Sequence, residues 1–303
     1  MKKMISLLVL VLFVSGCTSF SGINFFGQNQ EVKEVSEDVI VIENINVVPT
    51  SPLIAGDQFS LSFQMINEDE MYDVPVEYKL LDDGLCSFVR NQAFRDTGSF
   101  TLVPGQVEFI EWTFDTPESS DIAYIRTICP IRFKTTYYYF AESEIEISVI
   151  DKDRYMQLQQ SGEFTTFTPT LTVGRGPIKI YMELGATLPI REGGTLPVYI
   201  TVEDKGDGLM TKIPERKLVM GIPEEFAEGA YCDFMSLDET IGGYAYFTNT
   251  QSIPFVSKET PKMKCTFIAP DVSLEQTYFA NAYFLDFAYD KIKEVEVEVQ
   301  PLA

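Results

Sequence analysis

The sequence contains no histidine, a single tryptophan, and only 23 lysine and arginine residues against 45 aspartate and glutamate residues. Without histidine, the chain cannot build a Ser-His-Asp triad, a histidine metal site or a histidine general base. The formal net charge of −22 argues against nucleic acid as a partner, because phosphate binding requires a surface rich in lysine and arginine. Apolar residues make up 45% of the 303-residue chain, which is ordinary for a folded protein and excludes an acidic disordered tail.

Motifs of common enzyme classes are also missing. The sequence has no Gly-x-Ser-x-Gly nucleophile elbow and no Gly-Lys-Ser/Thr phosphate loop. Carboxylates are so abundant that the proximity of two of them carries no information about glycoside hydrolysis. We therefore expect a protein that is not an enzyme and that uses no cofactor.

The N-terminus has the pattern of an export signal. Lys2 and Lys3 precede an apolar run over residues 5–14, which is too short to span a bilayer. The residues Val14-Ser15-Gly16-Cys17 resemble the lipobox of secreted lipoproteins, in which the cysteine becomes the mature N-terminus and carries lipid. The resemblance implies a signal peptide over residues 1–16, lipid attachment at Cys17 and a location in the cell envelope, on the outer side of a membrane. An ordinary signal peptide with an incidental Cys17 is the alternative.

The rest of the chain is dominated by strand patterns. Residues 17–38 are polar and rich in Ser, Gly, Asn and Glu, which predicts a flexible tether after the lipidated cysteine. Beyond it, apolar and polar residues alternate, for example over residues 59–65 and 294–299, as in half-buried strands. One short helix is predicted over residues 153–160, with Gly162 as its stop.

Two halves of the chain resemble each other. Residues 52–61 align with residues 189–198, and residues 112–117 align with residues 265–270, so that Trp112 stands opposite Cys265. This predicts an internal duplication. Chance similarity between two generic β patterns is the alternative.

The duplication predicts two domains, residues 39–150 and residues 177–303, joined by a linker over residues 151–176. About seven short strands in each half are typical of an antiparallel Ig-like sandwich. The shared Pro-x-x-x-Gly pattern and the alternating strand that follows, which ends at Asn67 or Asp204, resemble the CARDB-type Ig-like domains of bacterial and archaeal surface proteins. The resemblance implies an all-β fold of two tandem sandwiches and a surface setting, and it carries no catalytic residues.

Four cysteines remain if Cys17 carries lipid, and an exported chain with an even number of cysteines favours disulfides. Of the three pairings of Cys86, Cys129, Cys232 and Cys265, the domain division selects Cys86–Cys129 and Cys232–Cys265. Zinc is the weaker alternative, because no two cysteines have metal-ligand spacing. Because Cys129 lies in the strand after Trp112, the two bridges are expected to join different pairs of strands.

Two segments of the second half are candidate binding sites. The second half is longer than the first between residues 204 and 252, and this part contains Tyr244, Tyr246 and Phe247 after a Gly-Gly pair. The three rings form either a platform for a partner or sugar, or a hairpin that covers the sandwich edge. The run Asp204-Lys205-Gly206-Asp207-Gly208 offers oxygens for calcium, although a solvated acidic turn is favoured and no metal is expected.

These patterns predict a non-catalytic, lipid-anchored cell-surface protein that acts as a spacer, adhesion module or binding module. Its expected contacts are the membrane, through the N-terminal lipid, and a protein or glycan partner that the sequence does not identify. One alternative is a subunit of a surface filament or envelope complex, in which residues 39–48 add to a neighbour's sheet. A second alternative is a carbohydrate-binding β-sandwich.

Overall fold

The computed structural model describes residues 37–89 and 95–302. The predicted signal peptide and Cys17 therefore lie outside the described residues. The first half of the chain forms eight strands: β1 (Ile40–Val48), β2 (Leu53–Ile54), β3 (Gln58–Asn67), β4 (Val74–Asp82), β5 (Ser87–Phe88), β6 (Thr97–Leu102), β7 (Val107–Asp115) and β8 (Thr127–Ile150). Helix α1 (Lys152–Ser161) follows them.

The second half repeats the pattern with more short elements. Its strands are β9 (Leu171–Val173), β10 (Ile178–Leu184), β11 (Ile190–Arg191), β12 (Thr195–Asp204), β13 (Lys212–Ile213), β14 (Leu218–Pro223), β15 (Tyr231–Cys232), β16 (Met235–Ile241), β17 (Tyr244–Thr248), β18 (Ile253–Pro254), β19 (Met263–Ile268) and β20 (Glu275–Gln300). A 3-10 helix (Glu224–Phe226) follows β14. The prediction of an all-β, antiparallel fold is confirmed.

Each half contributes one four-stranded sheet, and the two sheets have equivalent strand orders, β1-β3-β7-β5 and β10-β12-β19-β15. In the first sheet Leu61 lies opposite Trp112, and in the second Val198 lies opposite Cys265. The structure thus places Trp112 and Cys265 at equivalent sheet positions, as the sequence alignment of the halves requires. Both are buried.

The two halves share a third, ten-stranded sheet. Its centre is the antiparallel pair β8 and β20, which runs from Thr127 opposite Val299 to Ile150 opposite Glu275. Strand β4 flanks the first part of β8, and β14 flanks the first part of β20. Hydrogen bonding within this sheet is therefore continuous from the first half of the chain into the second.

The ends of the two long strands cross into the opposite half of the molecule. A short strand of the first half pairs with the end of β20, and a short strand of the second half pairs with the end of β8. Strand β2 pairs in parallel with β20, with Leu53 opposite Val299, and β11 pairs in parallel with β8, with Ile190 opposite Val149. The described residues accordingly belong to one compact unit. The halves predicted as residues 39–150 and 177–303 are joined by a reciprocal exchange of strands.

Alternation along β8 explains how one strand serves both halves. Every second side chain from Cys129 to Val149 is buried on the face that the four-stranded sheets cover. Phe133 stacks on Phe63 with ring centroids 4.4 Å apart, and Trp112 meets both rings edge-on. Tyr138, which points the other way, is 39% exposed. Alternate side chains of β8 therefore face the core and the outer surface.

Helix α1 lies in the predicted linker and begins one residue before the predicted helix. Asp151 caps it by accepting a hydrogen bond from the Arg154 N–H at 2.9 Å, and Gly162 ends it in the left-handed region with φ 73°. None of its residues is buried. The helix therefore connects the halves without contributing to their core.

The structure pairs Cys86 with Cys129 and Cys232 with Cys265. Cys86 precedes β5 in a four-stranded sheet and Cys129 lies on β8, so the first bridge ties the two layers together with Cα atoms 5.8 Å apart. Cys232 and Cys265 are direct neighbours on β15 and β19, with Cα atoms 4.0 Å apart. The two bridges join different pairs of strands, as expected.

Replacing Ser143 with alanine is expected to stabilise the protein by about 1 kcal/mol, because its buried hydroxyl has no hydrogen-bond partner among the described residues. Ser148→Ala is the matched control on the same strand. The Ser148 hydroxyl donates to Glu275 Oε1 at 3.0 Å, so its loss should destabilise by a similar amount. Urea unfolding measures the free energy of unfolding of both variants. Equal changes in that free energy for the two substitutions would contradict the prediction.

Candidate functional site

The predicted aromatic platform divides between the core and the surface. Gly242 and Gly243, both with positive φ, form the turn between β16 and β17. Phe247 is only 5% exposed and meets Phe267 edge-on with centroids 5.6 Å apart. Phe247 is therefore a core residue and is corrected as a binding candidate, whereas Tyr244 and Tyr246 stay half-buried on the outer face of the shared sheet.

The run over residues 204–208 is solvated only in part, with Lys205 and Asp207 exposed. Asp204 is buried, and its carboxylate accepts hydrogen bonds from the Tyr289 hydroxyl at 2.6 Å and from the N–H groups of Gly206 and Met210. The Asp207 carboxylate, in turn, pairs with Lys291 and Lys293. These contacts to the two acidic side chains hold the loop in place. Among the described residues, no group of three or more cysteine or acidic side chains is arranged to hold a metal ion.

The loop packs into a buried ionic cluster where the two halves meet. We call it the seam cluster, and it consists of Asp38, Tyr137, Asp204, Asp207, Tyr289 and Lys291. Gly206 lies at its edge, where a Cβ atom would come within 2.6 Å of the Pro177 side chain and would also meet the Tyr289 hydroxyl. Only glycine allows the loop to approach this closely.

Lys291 is the cation of the seam cluster. Its Nζ lies 3.0 Å from Asp38 Oδ2 and 2.6 Å from Asp207 Oδ1, and it donates to the Ile40 carbonyl at 3.0 Å. The Lys291 side chain is 3% exposed and that of Asp38 is 0% exposed, whereas Asp207 is 48% exposed. The cluster thus connects the start of β1, the loop after β12 and the strand β20.

Two of the three carboxyl groups of the seam cluster, those of Asp38 and Asp207, have pKa values that move apart. Burial, followed by the hydrogen bond to Asp207, raises the pKa of Asp38 above its ordinary value, although Lys291 opposes this. Burial also acts to raise the pKa of Asp207, but hydrogen bonds to Asp38, Lys291 and Lys293 outweigh it and hold that pKa below its ordinary value. As the pH falls, Asp38 is therefore the first of the pair to take up a proton.

The turn after β3 forms a second junction with β8. Asp69 accepts from the Tyr139 hydroxyl and from the N–H groups of Met71 and Tyr72. Beside it lies a cavity of about 320 Å³ with Phe140 and Arg175 in its wall. The Tyr72 ring stands perpendicular to the Phe140 ring at 4.8 Å, which gives the cavity an aromatic side.

Asp69→Asn is expected to destabilise the protein by about 1.5–3 kcal/mol at pH 7, and by progressively less as the pH falls through the folded-state pKa of Asp69. Burial acts to raise the pKa of Asp69, but its three hydrogen bonds and Arg175 hold it below the ordinary value of 3.8. The carboxylate thus stabilises the folded state above the unfolded-state pKa, and this stability is lost as the pH falls through the lower, folded-state pKa. Unfolding across pH tests this, with the exposed Asp73→Asn as control. A difference in stability that stays constant as the pH falls from 7 through the acid range to the unfolding of both proteins would contradict it.

The outer face of the shared sheet has paired charges in the first half of the molecule. Three ion pairs link β8, or the residue just before it, to β20. Arg132 pairs with Glu294 directly opposite it at 2.5 Å, Lys134 pairs diagonally with Asp290 at 3.2 Å, and Arg126, which precedes β8, pairs with Glu298 at 3.0 Å. An open groove of about 660 Å³ lies beside them, over β4 and β6. Lys134 is paired with Asp290, and the other charged residues of the groove wall are Glu77, Lys79 and Arg95, so this groove lacks the excess of carboxylates found elsewhere on the protein.

The same two strands present a different outer face in the second half. Glu142, Glu144 and Glu146 of β8 lie opposite Tyr283, Asn281 and Phe279 of β20. We call this surface the acidic aromatic face, and it also includes Tyr244 and Tyr246 on β17. It contains a cavity of about 240 Å³ that lies next to the cavity beside Asp69.

Contacts across the acidic aromatic face link its rings and its carboxylates. Gly221 lies between Asn281 and Tyr246 in the sheet, and a Cβ atom there would come within 2.9 Å of the Tyr246 ring. Burial is the largest of the causes that raise the pKa of Tyr283, followed by Tyr246, Glu142 and Glu144. These groups therefore lie close enough to act on one ligand.

Strand β1, the predicted donor of an edge for filament assembly, does lie at the edge of its sheet. Its pairing with β3 is interrupted between Glu43 and Asn46, where Asn44 has φ 51°. A bulge of this kind breaks the regular row of backbone groups that an added strand needs. The geometry of β1 thus disfavours assembly through this edge.

The sequence analysis did not identify Lys291 and Asp38 of the seam cluster or the glutamates of the acidic aromatic face. Lys291 and Asp38 showed no motif, since they are 253 residues apart and meet only in the fold. The spacing of Glu142, Glu144 and Glu146 is visible in the sequence and predicts one strand face. The uncharged residues opposite them follow only from the pairing of β8 with β20. Within the described part of the chain, no helix has the length and hydropathy needed to cross a membrane.

Comparisons with known proteins give no family. No protein-family model and no curated protein matches the chain. Among solved structures it matches a red sea bream transglutaminase, with 11% identity and a TM-score of 0.20, over 89% of this chain and 32% of that chain. It therefore spans about a third of the length of that protein.

Two further structures match over most of both chains. A Danio rerio Fcho1 Mu homology domain with a bound Eps15 peptide has 7% identity and a TM-score of 0.23, over 88% of this chain and 96% of that chain. The S. aureus collagen adhesin has 8% identity and a TM-score of 0.17, over 87% and 97%. Likenesses of this size assign neither a family nor an activity.

Proposed function

We propose that this protein is an exported, lipid-anchored and non-catalytic binding or adhesion module of the cell surface. The observation that carries the proposal is the pair of disulfides, Cys86–Cys129 and Cys232–Cys265. Disulfides persist in oxidising compartments outside the cytosol and are rare within it. The lipid at Cys17 is inferred from the resemblance of residues 14–17 to a lipobox.

The shared sheet supports a role in presenting a surface at a fixed geometry. Two domains on a flexible linker move relative to each other, but here β8 and β20 pair along their whole length. The two halves are therefore held together as one unit, and the outer face of the shared sheet keeps a fixed geometry within it. This rigidity suits a spacer or an adhesion module, because a preorganised surface loses little entropy on binding.

The test is fractionation and mass spectrometry of the mature protein from its native host, without reduction. We expect a membrane-bound chain that begins at a lipid-modified Cys17, together with disulfide-linked peptides that contain Cys86 with Cys129. Cys17→Ser should release the protein from the membrane or block its maturation, whereas Thr18→Ser should change neither. An unmodified cytosolic chain with free thiols would contradict the proposal.

A further inference from the structure

We propose that the acidic aromatic face binds an extended, basic segment of a partner protein, with lysine or arginine at every second position. The inference deepens the proposed function, since it names the partner chemistry of a surface binding module. It starts from the difference between the two ends of the β8–β20 pair. One end carries ion pairs across the strands, and the other carries carboxylates opposite uncharged residues.

The carboxylates on this face have uncharged neighbours on both sides. Glu144 lies between Asn281 on β20 and Thr172 on β9, and Glu142 lies opposite Tyr283. Beyond Glu142, the chain at Gly174 approaches so closely that a Cβ atom would meet the Glu142 side chain at 2.9 Å. The cation of the adjoining cavity, Arg175, is already 3.2 Å from Glu70.

A row of like charges costs free energy that a cationic ligand would recover. Glu142, Glu144 and Glu146 point to the same side of one strand, with about 7 Å between successive members, and they repel in a chain of net charge −22. A neutral ligand such as a sugar would leave this repulsion in place. Charge complementarity therefore favours a cationic occupant over a neutral glycan.

The regular spacing of the carboxylates favours a ligand in the extended conformation of a β-strand. Residues two apart in an extended peptide are also about 7 Å apart and point to the same side. Alternate basic residues of such a peptide match Glu142, Glu144 and Glu146 one to one. The rings of Tyr283 and Phe279 lie on the next strand, where they can contact the aliphatic stems of lysine or the guanidinium of arginine.

The experiment uses the whole mature protein and a synthetic peptide in which lysine and threonine alternate, with binding measured by calorimetry at physiological ionic strength. A peptide of the same composition, with its lysines in one block, tests the spacing. The variant is the triple substitution Glu142→Gln, Glu144→Gln and Glu146→Gln. Its control, Glu111→Gln, Glu228→Gln and Glu296→Gln, changes the net charge equally at exposed positions elsewhere.

We expect the alternating peptide to bind more tightly than the block peptide, and the triple variant to weaken it about tenfold or more. The control triple should change binding less than about twofold. Tyr283→Ala, which removes no charge, should weaken binding severalfold, and thermal unfolding checks that every variant is folded.

Equal losses in the two triple variants would show that only net charge matters and would overturn the inference. Absence of binding to the alternating peptide, or binding of neutral oligosaccharides that needs Tyr283 but none of the glutamates, would also overturn it. None of these results touches the lipid at Cys17 or the disulfides. Failure of this inference is therefore distinguishable from failure of the proposed function.

Discussion

Two fragments, residues 37–161 and residues 162–302, are each expected to lack a cooperative fold when produced alone. The first fragment would lose β20, which pairs with β8 along its whole length and with β2 at Leu53. The second would lose β8, which pairs with β11 and packs against β10. Each would expose the long apolar face of its remaining strand and an unpaired sheet edge.

Circular dichroism and size-exclusion chromatography with light scattering provide the measurement. We expect aggregated or largely unfolded single fragments, and a one-to-one complex when the two are refolded together. The matched control is the whole folded protein cleaved at a protease site inserted beside Gly162. Since no residue of α1 is buried, this protein should stay associated and keep its unfolding transition.

The outcome separates strand exchange from independent domains. Monomeric fragments that each unfold cooperatively would show that either half builds a complete sandwich alone, as the sequence-based division into residues 39–150 and 177–303 supposed. Dissociation of the cleaved whole protein would contradict the pairing of β8 with β20. The measurement that decides between the two alternatives is therefore whether the fragments associate, and not whether each fragment can be expressed.

Lys291→Met is expected to destabilise the protein by about 3–5 kcal/mol at pH 7, because it leaves Asp38 buried without its cation. Methionine keeps most of the side-chain volume, so the loss is electrostatic and does not reflect a cavity. Denaturant unfolding gives the magnitude. Lys293→Met is the control: Lys293 is 33% exposed and, among the described residues, forms an ion pair with the half-exposed Asp207 alone, at 3.1 Å, so its loss should cost less than about 1 kcal/mol.

The pH dependence and a second substitution identify the cause. The pKa of Asp38 is already raised by burial, and Lys291 acts to lower it, so removing Lys291 raises it further. A carboxyl group with a higher pKa in the folded state destabilises that state above this pKa, and the penalty is relieved as the pH falls through it. The defect should therefore shrink toward pH 4, and Asp38→Asn should rescue part of it. A defect that is constant with pH and unaffected by Asp38→Asn would contradict this account.

The sequence by itself determined the local structure and the buried faces. Alternation of apolar and polar residues predicts strands and the fact that one side of each strand is buried. Local capping chemistry likewise predicted α1, with its end at Gly162. The alignment of the halves also placed Trp112 and Cys265 at equivalent positions. It did so because the aligned segments of the two halves form the same strands in two sheets of equivalent order.

Only the tertiary structure decided which strands lie side by side. Alternation fixes the buried face of a strand but says nothing about its neighbour, so the pairing of β8 with β20 and the exchange of strands between the halves were not predictable. The seam cluster and the acidic aromatic face depend on that pairing, since Lys291 meets Asp38 and Glu142 meets Tyr283 across long sequence separations. Phe247 shows the same limit, because a ring next to a glycine turn is compatible with either the surface or the core until the packing places it.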